Sequence, residues 1–249
     1  MAPTRRAALL FAPLVGLAAL ATACGAQSDG DAGRKPSAAR TGAPSPTGTP
    51  ARSAADRALL EAARAGDVDA VREAIERGAG LEARDGNDRT PLLLAATGDH
   101  VGAARVLVDA GADPDALDQQ HDTPWLVTGV TGSAAMARTL AAADPDYTIV
   151  NRYGGTSLIP AGEHGHVAYV REVTTNPDID VDVDHVNDLG WTALLEAVIL
   201  GDGGTDHQKT VKLLLDAGAD PGIEDRTGMT ALQHARRRGQ DEVARLLSE

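Results

Sequence analysis

Seven histidines, a run of alternating aspartates and one cysteine are the side chains in this sequence whose types could do chemistry. His164 and His166, followed by Asp178, Asp180, Asp182, Asp184 and His185, combine imidazole and carboxylate, both suitable metal ligands. The spacing argues against an ion. A calcium loop starting at Asp178 would want Gly at its sixth position and Glu at its twelfth, and those positions hold Val183 and Leu189. The alternation instead puts the acids on one face of an extended loop. Catalytic sets fare no better. Serines and histidines are present, but the chain contains no nucleophile elbow, phosphate loop, dinucleotide fingerprint or His-Glu-x-x-His, so neither an enzyme nor a cofactor is expected.

Charge and composition narrow the partners. The 249 residues carry 36 acidic and 23 basic side chains, a net −13. Duplex binding draws its affinity from Lys and Arg set against phosphates, so nucleic acid is excluded as a partner and anionic lipid should be repelled. Aromatics make up only 2% of the chain, which leaves Ala, Leu and Val to build a core of closely packed short helices.

The first 23 residues have the layout of a secretory signal: Arg5 and Arg6, then an apolar run from Ala7 to Ala23 ending in small residues. At about 17 residues the run is at the lower limit for a membrane span. Cys24 favours cleavage over a retained anchor helix. This single cysteine directly follows Leu20-Ala21-Thr22-Ala23, which resembles the lipobox of bacterial lipoproteins and implies acylation of its sulfur. Acyl chains contributing roughly 0.8 kcal/mol per methylene would anchor the chain without a helix crossing the bilayer. Thr4-Arg5-Arg6 also resembles a twin-arginine export signal, although an ordinary basic segment looks the same, and the export route stays open. Removing residues 1–23 takes away two arginines and no acid, leaving 21 basic against 36 acidic side chains, a net −15. Residues 24–53 are the lipidated Cys and a Gly-, Ala-, Ser-, Thr- and Pro-rich tether that cannot bury enough apolar surface to order itself. Its reach is on the order of 30 Å.

Beyond it the chain repeats itself. Thr90-Pro91-Leu92, Thr123-Pro124-Trp125, Thr156-Ser157-Leu158, Thr192-Ala193-Leu194 and Thr230-Ala231-Leu232 set threonines 33, 33, 36 and 38 residues apart. Nine residues after each Thr stands a turn residue (Asp99, Gly132, Gly165, Gly201, Gly239), and Gly-Ala-Asp-Pro recurs at 111–114 and 218–221. This pattern resembles the ankyrin repeat. With an earlier unit running from Asp56 through Arg77-Gly78-Ala79, the resemblance covers residues 54–249 in six units, near 54–84, 85–117, 118–150, 151–186, 187–224 and 225–249. The implied fold is all-α, a solenoid of helix-turn-helix units joined by short hairpin-like loops. Each Thr would cap a first helix, and Gly111 suits the left-handed end of a second helix over Val101–Ala110. Trp125 falls at a core position. Units three and four depart most from the pattern, with Ala143-Asp144-Pro145 lacking its Gly and Pro160 inside a first helix. Gly201–Gln208 reads as an inserted loop between the helices of unit five, and the Arg236–Arg238 run suits a polar capping unit.

The resemblance also implies a function: a monomeric, non-enzymatic module that binds a protein by its concave face and hairpin tips. At those positions this chain has Arg89, Gln119, Gln120, Arg152, Tyr153, Leu189, Trp191, Arg226 and Met229, with Ile199 and Leu200 at the end of a first helix. Exposed Trp, Tyr and Arg are the residue types that anchor interfaces. Together with the lipobox, this places the protein on the extracytoplasmic face of a bacterial membrane, held by its lipid alone. A second reading is a ligand-capturing lipoprotein serving a transporter, although such sites are pockets that enclose most of their ligand.

The lipobox resemblance generates the first prediction: Cys24→Ala should abolish incorporation of a fatty-acid analogue in metabolic labelling. Label persisting on the variant would exclude Cys24 as the acylated residue.

Overall fold

The computed structural model describes residues 50–249, with side chains from Ser53 onward. The expected signal segment, Cys24 and nearly all of the tether lie outside the described residues. Twelve helices follow in six pairs: α1 (Pro50–Ala65) with α2 (Val68–Glu76), α3 (Pro91–Thr97) with α4 (Val101–Asp109), and α5 (Leu126–Thr131) with α6 (Ala134–Ala141). The remaining pairs are α7 (Leu158–His164) with α8 (Val167–Thr175), α9 (Ala193–Ile199) with α10 (Thr205–Asp216), and α11 (Ala231–Arg237) with α12 (Asp241–Leu246). First helices stack on first helices and second helices on second helices along the whole series. Among the described residues no strand forms. The chain is an all-helical solenoid, and α1 begins at Pro50 rather than near 54.

Helices of six to nine residues are too short to persist alone, and the periodic residues explain how each is started and covered. Thr90, Thr192 and Thr230 stand at N-caps in extended conformation, accepting at Oγ1 from the backbone N–H three residues on. Thr123 does the same for Leu126 N at 3.1 Å. Thr156 is the exception, and its buried hydroxyl has no partner among the described residues. Pro160 explains it. In the other units the residue four beyond the Thr donates its N–H to the Thr carbonyl, as Leu94, Val127, Glu196 and His234 do. Pro160 has no N–H to give, so Ile159 N–H bonds to the Thr156 carbonyl instead, at 3.3 Å, and is not available to the Thr156 hydroxyl.

A second recurrent device went unread in the sequence: an Asp or Asn five residues before each Thr holds the hairpin tip. Its Oδ1 accepts from the N–H groups two and four residues on. Asp85 takes Asn87 and Arg89, Asp118 takes Gln120 and Asp122, and Asn151 takes Tyr153 and Gly155. Asn187 takes Leu189 and Trp191, and Asp225 takes Thr227 and Met229. Such side-chain-to-backbone bonds make a turn without a strand ladder. The tips turn through a left-handed residue: Asp88, His121, Gly154, Gly190 and Gly228 all have φ between 60° and 84°. Among the described residues sheet pairing is limited to one isolated bridge, Glu224 to Thr230.

Successive pairs are tied by side chains reaching back to the end of the preceding first helix. His100 Nε2 lies 3.0 Å from Arg64 O, His166 Nε2 3.1 Å from Val130 O and His207 Nε2 2.8 Å from Glu163 O, while Gln240 Nε2 donates to Val198 O. These three histidines are therefore ties between repeats. The Asp-rich stretch is similarly occupied: Asp182 Oδ1 accepts from Asp184 N, Asp184 Oδ1 accepts from Asp220 N, and His185 Nε2 meets Gly154 O. Among the described residues no three His, Cys, Asp or Glu side chains converge as metal ligands would. His207 also corrects the reading of the insertion in unit five. Only Gly201–Gly204 is loop, and residues 205–208 form the first turn of a lengthened α10, placing His207 where His166 stands in unit four.

The core is thin and Ala-rich, with Trp125 and Tyr169 its largest fully buried side chains. Trp125 meets the Tyr147 ring edge-to-face at 4.7 Å. The Tyr169 hydroxyl lies 2.8 Å from Thr128 Oγ1, and burial pushes the phenol up to about 12. Gly129 and Gly162 let α5, α7 and α9 approach closely. A Cβ at Gly129 would lie 1.7 Å from Ser157 O, and one at Gly162 2.4 Å from Ala193 O. Gly129→Ala should therefore destabilise the fold by roughly 1–3 kcal/mol, even though Ala gains up to about 1 kcal/mol in helix propensity. Denaturant unfolding measures it. Unchanged stability would mean that α5 and α7 can separate freely.

Candidate functional site

The hairpin tips of units four and five and the first helices of units three to five line an open groove of about 440 Å³. Tyr153 and Leu189 enter from the tips of units four and five, with Trp191 just behind. Val130, Pro160 and Leu200 enter from α5, α7 and the end of α9. Val130, Tyr153, Leu189 and Leu200 are each about half exposed, at 54%, 58%, 54% and 46%, and are among the few large apolar side chains left in solvent. An exposed apolar cluster of this kind on a single chain marks a contact surface.

The folding of each element accounts for these placements. Asn187 Oδ1 holds both Leu189 N and Trp191 N at 3.0 Å, so the tip carries its two apolar side chains in a fixed register. In unit four Asn151 does the same for Tyr153, whose ring lies under the Arg152 guanidinium at 4.6 Å. Trp191 is only half-buried and packs partly on the core, whereas Trp125 is 1% exposed.

Of the interface residues expected from the sequence, the structure gathers Tyr153, Leu189, Trp191 and Leu200 in the groove. The rest stand apart from it. Arg89 is held by Asp85 through Nε and Nη2, and Gln119 donates to Gly86 O and Asp88 in the neighbouring tip. Gln120 and Arg226 are exposed on tips, Ile199 is half-buried against the core, and Met229 Sδ accepts from Arg237.

Glu196 at the groove floor was missed. It is 6% exposed, and Asn187 Nδ2 donates to its Oε1 at 3.0 Å. Burial and the neighbouring Glu163 carboxylate raise its carboxyl to about 7, against the lowering effect of the Asn187 bond. At the same place in other units, nine residues after the tip Asx, stand Leu94, Val127, Pro160 and His234. That shared phase was the available signal. His234 answers Asp225 at 2.7 Å, and Asp225 is held far below the usual carboxylate range, first by the Thr227 hydroxyl.

The comparisons with known proteins agree with this architecture. The family model described as "Ankyrin repeats (3 copies)" matches residues 48–118, 125–225 and 179–249. The chain belongs to the ankyrin repeat family, whose members are protein–protein interaction modules and generally not enzymes. It is similar to the putative ankyrin repeat protein YahD of Escherichia coli K12, 46% identical over 83 residues, a match spanning 33% of this chain and 40% of that protein. An ankyrin repeat domain from Acinetobacter baumannii AYE superposes with a TM-score of 0.71 at 43% identity, covering 76% of this chain and 95% of that one. The ankyrin repeat protein EF0377 gives 0.74 at 37%, covering 78% and 98%. The ankyrin domain of Bcl-3, a member of the IκB family, gives 0.68 at 27%, covering 77% and 84%.

A raised carboxyl makes stability depend on pH with a definite sign. Below about 4.5 Glu196 is protonated in both folded and unfolded chains; above that the unfolded chain ionises first, so stability falls as pH rises through about 7. The loss above pH 7 is on the order of 2 kcal/mol, less than the full shift implies because the groove admits water. Asp85, lowered to about 2 with its Arg89 bond opposing burial, loses its contribution only as pH falls below 3.8, so the windows do not overlap. Glu196→Gln should be more stable than the parent by about 1–2 kcal/mol at pH 8 and equal to it near pH 4.5. Denaturant titrations at the two pH values test this, and equal stabilities at pH 8 would contradict the raised carboxyl.

Proposed function

We propose that this protein binds another protein in the groove between units three and five, and does so as a lipoprotein anchored through Cys24 on the extracytoplasmic face of a bacterial membrane. The carrying observation is the convergence of Tyr153, Leu189, Trp191 and Leu200 on one exposed apolar groove. Aromatic side chains fixed at rigid turns lose little entropy on binding, and interface energy concentrates in such anchors. The anchor rests on the lipobox-like Leu20–Cys24 segment, and the Gly/Pro-rich stretch that follows supplies the tether. The chain acts as a monomer. The second reading, capture of a small ligand for a transporter, draws on a groove volume within the range of small-molecule sites. The half-exposed walls favour a protein surface over an enclosed ligand, and a metabolite screen by thermal shift separates the two.

The two tryptophans provide the test. Trp125→Ala removes a fully buried side chain and should cost roughly 3–5 kcal/mol of stability. Trp191→Ala should cost clearly less, while weakening the complex with a partner recovered on the full mature chain by about 2 kcal/mol or more. Leu189 should behave like Trp191. Paired unfolding and titration measure both. Parental affinity in the Trp191→Ala variant would remove the groove from the interface.

A further inference from the structure

We propose that the groove receives a basic side chain, an ammonium or guanidinium carried between apolar residues of the protein partner, against the Glu196 and Glu163 carboxylates. The inference rests on the groove being the protein-binding surface and names what that surface recognises.

Four observations carry it. The groove walls are apolar and aromatic, yet two carboxylates, Glu163 and Glu196, belong to its lining. Glu196 is almost entirely buried, and one oxygen accepts from Asn187 Nδ2; no second donor to this carboxyl is found among the described residues. The second oxygen is not among the partnerless side-chain atoms shut off from solvent, so it keeps contact with the water of the groove, where a donor from a bound partner can reach it. Next, no cation among the described residues pairs with Glu163 or Glu196, although Asp85 and Glu172 each have an arginine. Arg152, at the rim, lies over the Tyr153 ring. Finally, the fold does not require a carboxylate at this place, since Leu94, Val127 and Pro160 occupy it in other units. The raised carboxyl of Glu196 reflects the same unmet demand for positive charge.

A cation supplies what is missing: charge-assisted hydrogen bonds to Glu196, neutralisation of the repulsion from Glu163, and aromatic faces at Tyr153 and Trp191 for its charge and methylene stem. A neutral group would leave both carboxylates unanswered. An anion would meet them and the chain's net −13.

The test uses the full chain, a random twelve-residue peptide display library and synthetic copies of the selected peptides. Peptides whose binding is lost in Leu189→Ser and Trp191→Ala are groove binders, and these should carry Lys or Arg between apolar residues. Replacing that residue by norleucine, or replacing the site by Glu196→Gln, should each weaken binding roughly tenfold or more. The norleucine peptide should bind Glu196→Gln no worse than the parent chain, which a merely structural role for Glu196 would not produce. Groove binders without a basic residue, or unchanged affinity in Glu196→Gln, overturn this inference while leaving the groove as a protein-binding surface. If no selected peptide depends on Leu189 and Trp191, the reading of the groove itself fails and the inference falls with it.

Discussion

A helix of six or seven residues loses more in conformational entropy than its own hydrogen bonds return, so α3, α5, α7, α9 and α11 could not persist unless their neighbours covered them. Stacking between successive pairs is therefore the interaction on which everything else depends, and the sequence provides for it at two distances. Close in, Ala and Gly at the first-helix interfaces remove side-chain bulk, to the point that a methyl at Gly129 would overlap the next backbone. Further out, His100, His166, His207 and Gln240 each bond to a carbonyl at the end of the preceding first helix, satisfying acceptors that a helix end leaves free. Both devices act between neighbours only, which is what makes the fold a quasi-linear array.

The hairpin tips obey a parallel constraint. A turn that carries no strand ladder needs another acceptor for its N–H groups, and an Asp or Asn side chain provides it in five tips. At three of the tips the choice between acid and amide matches the surroundings. Asp85 has Arg89 and Arg64 to answer its charge, and Asp225 has His234. Asn187 faces Glu196, where a second carboxylate would repel and only an amide can donate. The residue that shapes the tip of unit five is thus the same one that supports the groove floor, and Leu189, Trp191 and Glu196 are positioned through one side chain.

Much of the fold was legible because the period is carried by residues with a local physical reason: Thr for a cap, Gly for a left-handed end, Ala and Leu for a buried face. Trp125 could be assigned to the core from its phase alone. The tip Asx residues share that phase and could have been found from it. What stayed hidden depended on partners far along the chain. His166 looks like a local helix-start residue until its bond to Val130, 36 residues away, is seen. Glu196 looks like any solvated glutamate on a short helix, and only the stacking of α7 against α9 buries it. Pro160 signalled irregularity correctly, but the consequence, the Thr156 cap displaced by a bond to its own carbonyl, required the competing donor to be identified. The apolar and aromatic residues of tips and helix ends were legible by type, whereas the gathering of four of them into a groove depended on which tips stand next to which helix ends.

The irregular features and the groove fall in the same central units, and the stacking constraint gives a reason. A unit in the middle of the array is covered on both sides, so a lost cap at Thr156, a proline in the first turn of α7 or an uncompensated carboxyl at Glu196 can be carried by two interfaces. At an end, where one interface is missing, the same defects would open the unit. The sixth unit has the full capping box at Thr230 and Gln233 and exposes Arg236, Arg237 and Arg238 to solvent. Residues that do little for folding are thus best tolerated between units three and five, where Tyr153, Leu189, Trp191 and Glu196 meet.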